Sequence, residues 1–280
     1  MKTFSALMLG PLLPLFLNAQ DLPKPSPPGK VEQQVGLTQV VIEYNRPSAK
    51  GRKVFGDLVP YGELWRTGAN LNSMISFDTD VRINGVEVKA GKYSLFTEPN
   101  ESAWRIYLNR RTDLWGTDEF KQEEVVLTTK APVQTNMERV ETLTITIRDV
   151  VKDRAIVRIA WENVNVEFEI EADCTEKALA NIEVAMKDPK ADYRTYHNSA
   201  RFCLDRSVKL DQALKWAQKS VQMEEKYWNV HTLALVMAAN GKMDEAIAMA
   251  QRSMDLAQQA GDQGYVKMNK MKMVEWREGR

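Results

Sequence analysis

Between Tyr44 and Asn70 the chain reads YNRPSAKGRKVFGDLVPYGELWRTGAN, a segment whose residue types are suited to binding. Arg46, Lys50, Arg52 and Lys53 follow one another with no acid before Asp57. The planar fork of an arginine matches a carboxylate or phosphate in two parallel hydrogen bonds. Tyr61, Trp65, Arg66 and Asn70 add aromatic faces and further donors. Gly51, Gly56, Gly62 and Gly68 allow tight turns, because glycine tolerates backbone angles closed to other residues. The candidate ligand-binding residues are therefore Arg46, Lys50, Arg52, Trp65, Arg66 and Asn70, and the ligand they suit is anionic or sugar-like. The alternative is structural: a loop that closes a β-sandwich, with Trp65 in the core and Arg66 capping carbonyls.

Other chemistries find less material. The only two histidines, His197 and His231, fall on predicted helices far downstream. Their absence before residue 197 removes histidine-based nucleophile systems and histidine metal sites from the upstream half. A lone helical histidine is usually a packing residue, and the sequence points to no metal and no cofactor. Asp57, Glu63, Asp78, Asp80, Glu87 and Glu98 fall in or near loops, which leaves open a carbohydrate-active hydrolase. Such an enzyme sets two carboxylates about 5–9 Å apart across a bond, a distance that spacing in sequence does not encode. Trp65, Trp104, Trp115 and Trp161 could stack on sugars. Trp104 and Trp161 lie at strand spacing and suit a core, whereas Trp115, in RRTDLWGTDEF, is the expected exposed ring.

The elements that must position these residues show two periods. Residues 38–44, 92–97, 104–108, 142–147, 155–161 and 164–170 alternate apolar and polar, the mark of half-buried strands. Residues 81–83 and 86–88 flank Asn84-Gly85, a two-residue hairpin signal. A turn is expected at Glu162-Asn163. Many short strands with turns between them predict an antiparallel β-sandwich, or alternatively a barrel.

From Cys174 the spacing becomes helical, with helices predicted at 175–186, 193–205, 211–223, 228–239, 244–260 and 263–276. Residues 209–220 align with residues 242–253 at an offset of 33, with six of twelve positions identical. This resembles tetratricopeptide repeats, whose helix pairs recur at about 34 residues. Such a stack implies a concave face, here drawing on Tyr193, Tyr196, Asn198 and Arg201 and then on Asn229, His231 and Thr232, and suited to a peptide or partner domain. Its alternative use is to cover the β-domain. Cys174 opens the first helix and Cys203 lies late in the second, so antiparallel helices bring them to similar heights and a disulfide between them is expected.

The first residues carry an address. Lys2, an apolar run through Leu17, and Ala19 have the layout of a secretory leader, with cleavage expected after Ala19. The run is short of the roughly 20 residues that span a bilayer and contains Gly10, Pro11 and Pro14. No cysteine lies near the cut, which excludes a lipid anchor there, and no later segment reads as a membrane span. The leader carries one of the 38 basic side chains and none of the 38 acidic ones, so the mature net charge is −1. That balance argues against nucleic acid as a partner. The expected organisation is a leader (1–19), a proline-rich tether (20–30), a β-rich domain (31–173) and a helical domain (174–280), in a periplasmic or secreted protein.

Several blocks in order, GRKVFG at 51–56, VPYG at 59–62, LWRTGAN at 64–70, AGKYSLFT at 90–97 and IAWEN at 159–163, resemble the bacterial domain-of-unknown-function family 2911. The resemblance covers about residues 25–170. It implies a secreted bacterial protein, most often of the Bacteroidetes type, and implies no activity. Three readings follow: a non-catalytic envelope protein binding a ligand, peptide, glycan or envelope protein; an envelope hydrolase; and a purely structural helical cover on a sandwich.

Overall fold

A computed structural model of the protein describes residues 22–279, so the expected leader lies outside the described residues. The chain divides into two units, Met1–Ala172 and Asp173–Arg280.

The first unit contains nine strands: β1 (Pro28–Val35), β2 (Thr38–Asn45), β3 (Ser73–Phe77), β4 (Val81–Ile83), β5 (Val86–Val88), β6 (Gly91–Glu98), β7 (Ala103–Asn109), β8 (Val125–Val151) and β9 (Arg154–Glu171). They pair antiparallel in the order β1-β2-β3-β6-β7-β8-β9-β4-β5. The sheet has two edges and is not closed, which removes the barrel alternative. One long strand joins its two halves. Residues 125–132 of β8 pair with β7, and residues 133–151 pair with β9. Register shifts between Thr135 and Val140, Val140 and Thr144, and Arg148 and Val151 mark irregularities that bend and twist a strand. Both halves contribute to one core: Ile42, Ile75, Leu95 and Ile106 from one, Ile83, Ile145, Val157 and Ile170 from the other.

Three features depart from the sequence reading. β9 is one strand, where two joined by a turn are expected. Glu162 takes φ 55° opposite Val140, so the expected turn is a bulge inside a continuing strand. β1 begins at Pro28, inside the expected tether; at the first position of an edge strand the missing N–H costs little. β3 (SMISF) was hidden because Ser73, a polar residue, occupies an inward position beside Ile75 and Phe77.

The second unit has six helices: α1 (Thr175–Ala185), α2 (Tyr193–Arg206), α3 (Leu210–Met223), α4 (Tyr227–Ala239), α5 (Met243–Ala260) and α6 (Gln263–Glu278). Asp192 caps α2, accepting from the Arg194 and Thr195 N–H groups at 3.0 Å each. The internal repeat is expressed in buried contacts. Ala213, Ala217, Ala246 and Ala250 are buried in the same core. Ser220 Oγ donates to the Tyr193 carbonyl (2.7 Å) and Ser253 Oγ to the Tyr227 carbonyl (2.6 Å). Asn229 Nδ2 and Asn269 Nδ2 donate to those two serine oxygens at 3.0 and 2.8 Å.

The expected disulfide is absent: Cys174 and Cys203 are both buried free thiols. The two thiols have different surroundings. Cys174 Sγ lies 3.5 Å from Arg206 Nη2, and Thr175 Oγ1 accepts from Arg206 Nη1 at 3.1 Å. Arg206 is about one turn beyond Cys203 on α2. Cys174 therefore lies against the Arg206 guanidinium, while Cys203 packs in the helical core.

Candidate ligand-binding site

The segment after β2 is fixed residue by residue. Arg46 is a clamp: Nε donates to the Leu143 carbonyl (3.2 Å) and Nη2 to Thr144 Oγ1 (3.0 Å). Ser48 forms a bridge with Thr142, and the Ala49 N–H donates to the Glu141 carbonyl at 2.8 Å. Lys50 and Gly51, at φ 51° and 76°, then turn the chain. The Lys50 N–H donates to Glu141 Oε1 at 2.6 Å, and that bond leads the causes that hold the Glu141 carboxyl below its usual range. Further on, Trp65 pairs with Thr97 through two backbone hydrogen bonds of 2.7 and 2.9 Å. Gly68 is required by close approach: a Cβ there would stand 3.0 Å from the Asn45 carbonyl oxygen and 3.0 Å from Ser73 Oγ.

Four rings lock the segment to the core. The Trp65 and Trp161 rings stack at 5.9 Å and 20°. Phe55 and Trp104 close around Trp65, each with its centroid 6.1 Å away. Trp65 Nε1 donates to the Gly68 carbonyl (3.1 Å) and Trp161 Nε1 to the Glu141 carbonyl (3.1 Å), so both indoles are oriented.

Beside these rings lies a cleft of about 360 Å³ whose lining includes Arg52, Glu63, Trp65, Arg66 and Trp161. That volume is within the range of small-molecule sites, about 300–1,000 Å³. Of the six residues singled out from sequence, the structure brings Arg52, Trp65 and Arg66 to the cleft. The other three hold the loop in place. Arg46 and Lys50 tie it to residues 141–144, and Asn70 Nδ2 lies 3.4 Å from both the Ser26 carbonyl and Asn45 Oδ1. Arg52 Nε and Nη2 donate to the Ala49 and Ser48 carbonyls, both at 2.9 Å. Arg66 differs from all of these. Its Nε is buried and has no hydrogen-bond partner among the described residues. Neither Arg52 nor Arg66 forms an ion pair among those residues. Glu63 and Trp161 were not among the site residues read from sequence; Trp161 reads as core, and it is both core and cleft wall.

The helical unit carries a second concavity, a groove of about 630 Å³. Of the residues read as a concave face, Arg201, His231 and Thr232 line it, together with His197, Leu235, Tyr265, Met268, Met271, Lys272 and Glu275, which the sequence reading did not place there. Tyr193 and Asn229 are buried and structural. Tyr193 packs on Trp228 (5.7 Å), and Asn229 Oδ1 accepts from the Lys226 N–H at 2.9 Å. Tyr196 and Asn198 are not among the groove's lining residues. His197 stands edge-on to Trp228 at 4.5 Å with Nδ1 buried and unpartnered, and burial, then Arg201, push its pKa down to about 4. His231 Nδ1 lies 2.7 Å from Asn269 Oδ1, and burial lowers its pKa too. Among the described residues no cluster of three or more His, Cys, Asp or Glu side chains could hold a metal. No helix there is long and apolar enough to cross a membrane.

Fold and cleft define a class: an open antiparallel sheet whose loops build a cleft lined by aromatic and arginine side chains, followed by a unit of six helices. Within that class, residues 26–170 match the model of the family described as "Protein of unknown function (DUF2911)", and the chain belongs to that family. A comparison with curated proteins finds no match.

Proposed function

We propose that this is an exported, non-catalytic binding protein, periplasmic or secreted, whose β unit takes a small anion-bearing ligand beside Trp65 and Arg66. Arg66 carries the reading. Its side chain lines the cleft and forms no ion pair among the described residues, and a ligand carboxylate or phosphate is the acceptor a guanidinium fork fits. Arg52, held by two backbone carbonyls, adds a second positive charge to the same cleft. The hydrolase alternative has less support, because Glu63 is the one carboxylate among the cleft's lining residues and acid–base work on a glycosidic bond needs two. The leader read at 1–19 supports export. The groove between the first helices of successive pairs supports a tetratricopeptide-type role for the helical unit, with an envelope protein or peptide as partner.

Thermal shift and calorimetry with a panel of small carboxylates and phosphates, sugar acids included, test the cleft. At least one member is expected to raise the wild-type Tm, and Arg66→Ala to abolish that gain. The variant's own Tm should stay level or rise, since the substitution removes an unsatisfied donor. A drop of several degrees in the unliganded variant, with no anion bound by the wild type, returns Arg66 to a structural role; about 1 kcal/mol corresponds to 2–4 °C in a chain of this size class.

A further inference from the structure

The loop between β7 and β8 carries an exposed ring on a turn that backs on Arg66. Its two ends are pinned by one buried residue: Asn109 Oδ1 accepts from the Arg111 N–H at 2.8 Å, and Asn109 Nδ2 donates to the Lys121 carbonyl at 3.1 Å. Ser94 Oγ donates to the Arg111 carbonyl. Arg111 pairs with Asp113 (2.7 Å) and Glu119 (3.3 Å) across the loop. Leu114 is 2% exposed and packs with Phe96 and Tyr107. The next residue, Trp115, is 69% exposed. A loop anchored at both ends and in its middle thus holds the chain's most solvent-exposed described aromatic side chain in the open. Tryptophan is normally largely buried, so a lone ring held out by a fixed backbone points to a ligand.

The position of the turn relative to Arg66 is given by the next residue. Gly116, at φ 87°, lies so close to the guanidinium that a Cβ there would stand 3.6 Å from Arg66 Nη1. The turn that carries Trp115 therefore backs directly on Arg66. An exposed indole on that turn and the guanidinium behind the turn select a ligand with two features: a ring whose C–H face stacks on indole, and an anion that takes the fork. The charge of the cleft narrows the anion. Arg52 and Arg66 against Glu63 leave one net positive charge among its lining residues, which suits a monoanion better than a phosphate dianion.

We propose that the ligand is an acidic sugar, a pyranose ring bearing a carboxylate, with the carboxylate on Arg66 and the ring on Trp115. This rests on the anion-binding reading of the same cleft and goes beyond it in naming the ligand class and in making Trp115 a specificity-determining residue.

The test is calorimetry on the full chain with D-glucuronate, D-galacturonate and D-mannuronate, against glucose, acetate and inorganic phosphate. At least one uronate is expected to bind ten or more times tighter than glucose, acetate or phosphate. Trp115→Ala should weaken the uronate about tenfold and leave acetate unchanged. Arg66→Lys, which keeps the charge and loses the fork, should weaken the uronate by a similar factor without altering far-UV circular dichroism. Acetate or phosphate binding as tightly as every uronate, or a Trp115→Ala variant with wild-type uronate affinity, overturns this inference and leaves the anion-binding reading standing. No binding of any carboxylate or phosphate overturns both.

Discussion

His197 and His231 stand 34 residues apart at matching places on α2 and α4, and their surroundings set a pH limit on the helical unit. His197 faces Trp228 and Arg201, with no acceptor or donor for Nδ1 among the described residues. Its pKa falls from 6.5 to about 4, with burial the larger cause. The unfolded chain therefore binds the proton first. Stability is fully present above about pH 6.5 and is lost progressively as the pH falls towards 4, after which this contribution is flat. His231 is lowered by burial and partly restored by Asn269, so its contribution has the same sign. His197→Gln keeps the approximate shape and cannot take the proton. Its Tm, followed at 222 nm in the full chain, is expected to fall less between pH 7 and pH 4.5 than that of the wild type. The half-buried position limits the difference to about 1–2 kcal/mol. Parallel Tm profiles for the two proteins refute the assignment. The repeat spacing marks His231 as a residue of the concave face but not His197, and what buries the two rings, Trp228 and Tyr265 from neighbouring helices, is not written in that spacing.

One irregularity in β9 does more for the cleft than any regular strand. At Glu162 the backbone turns to φ 55° without ending the strand, and the side chain reaches the loop. Glu162 Oε2 accepts from the Val54 N–H at 3.0 Å, and Oε1 lies 3.7 Å from Arg139 Nη2. Val54 precedes Phe55, which packs on Trp65, Trp104 and Trp161. Glu162→Ala leaves the Val54 N–H without this acceptor and is expected to cost about 1–2 kcal/mol in urea unfolding followed by tryptophan emission. Anion affinity at the cleft should fall with it. A variant as stable as the wild type removes Glu162 from the loop's support. The sequence signal at this point is ambiguous for a physical reason. Glu162-Asn163 interrupts two alternating runs, and an interruption with positive φ looks the same whether the chain reverses or bulges. The Asn84-Gly85 turn was legible because both residues need positive φ, 46° and 82° here, and two such residues between short runs close a hairpin.

At the scale of the whole chain, what could be read in advance is whatever repeats locally. Strand alternation, helical spacing, the 33-residue repeat and the change of period at residues 172–174 each lie within a short window. The cleft does not: Ser26, residues 47–69 and Trp161 meet only after β8 and β9 have folded over the loop, so the sequence supplied Arg52, Trp65 and Arg66 but not their neighbours. The cysteines fail in the same way. Their sequence spacing is right for a bridge, yet Cys174 lies against the Arg206 guanidinium and both thiols are free. This gives a prediction that joins compartment to structure. An oxidising compartment favours a bond between the only two cysteines of a chain, and the fold withholds it. Burial also pushes the Cys203 thiol up, which keeps the reactive thiolate scarce. Protein recovered from its native host without reductant should resist alkylation while folded. In denaturant it should gain two alkyl groups per chain, on an intact mass that begins at Gln20. A mass that begins at Met1 removes the proposed export and leaves the thiols as assigned. An unalkylated chain lighter by two hydrogens shows that Cys174 and Cys203 do meet and are bonded, against the free thiols described.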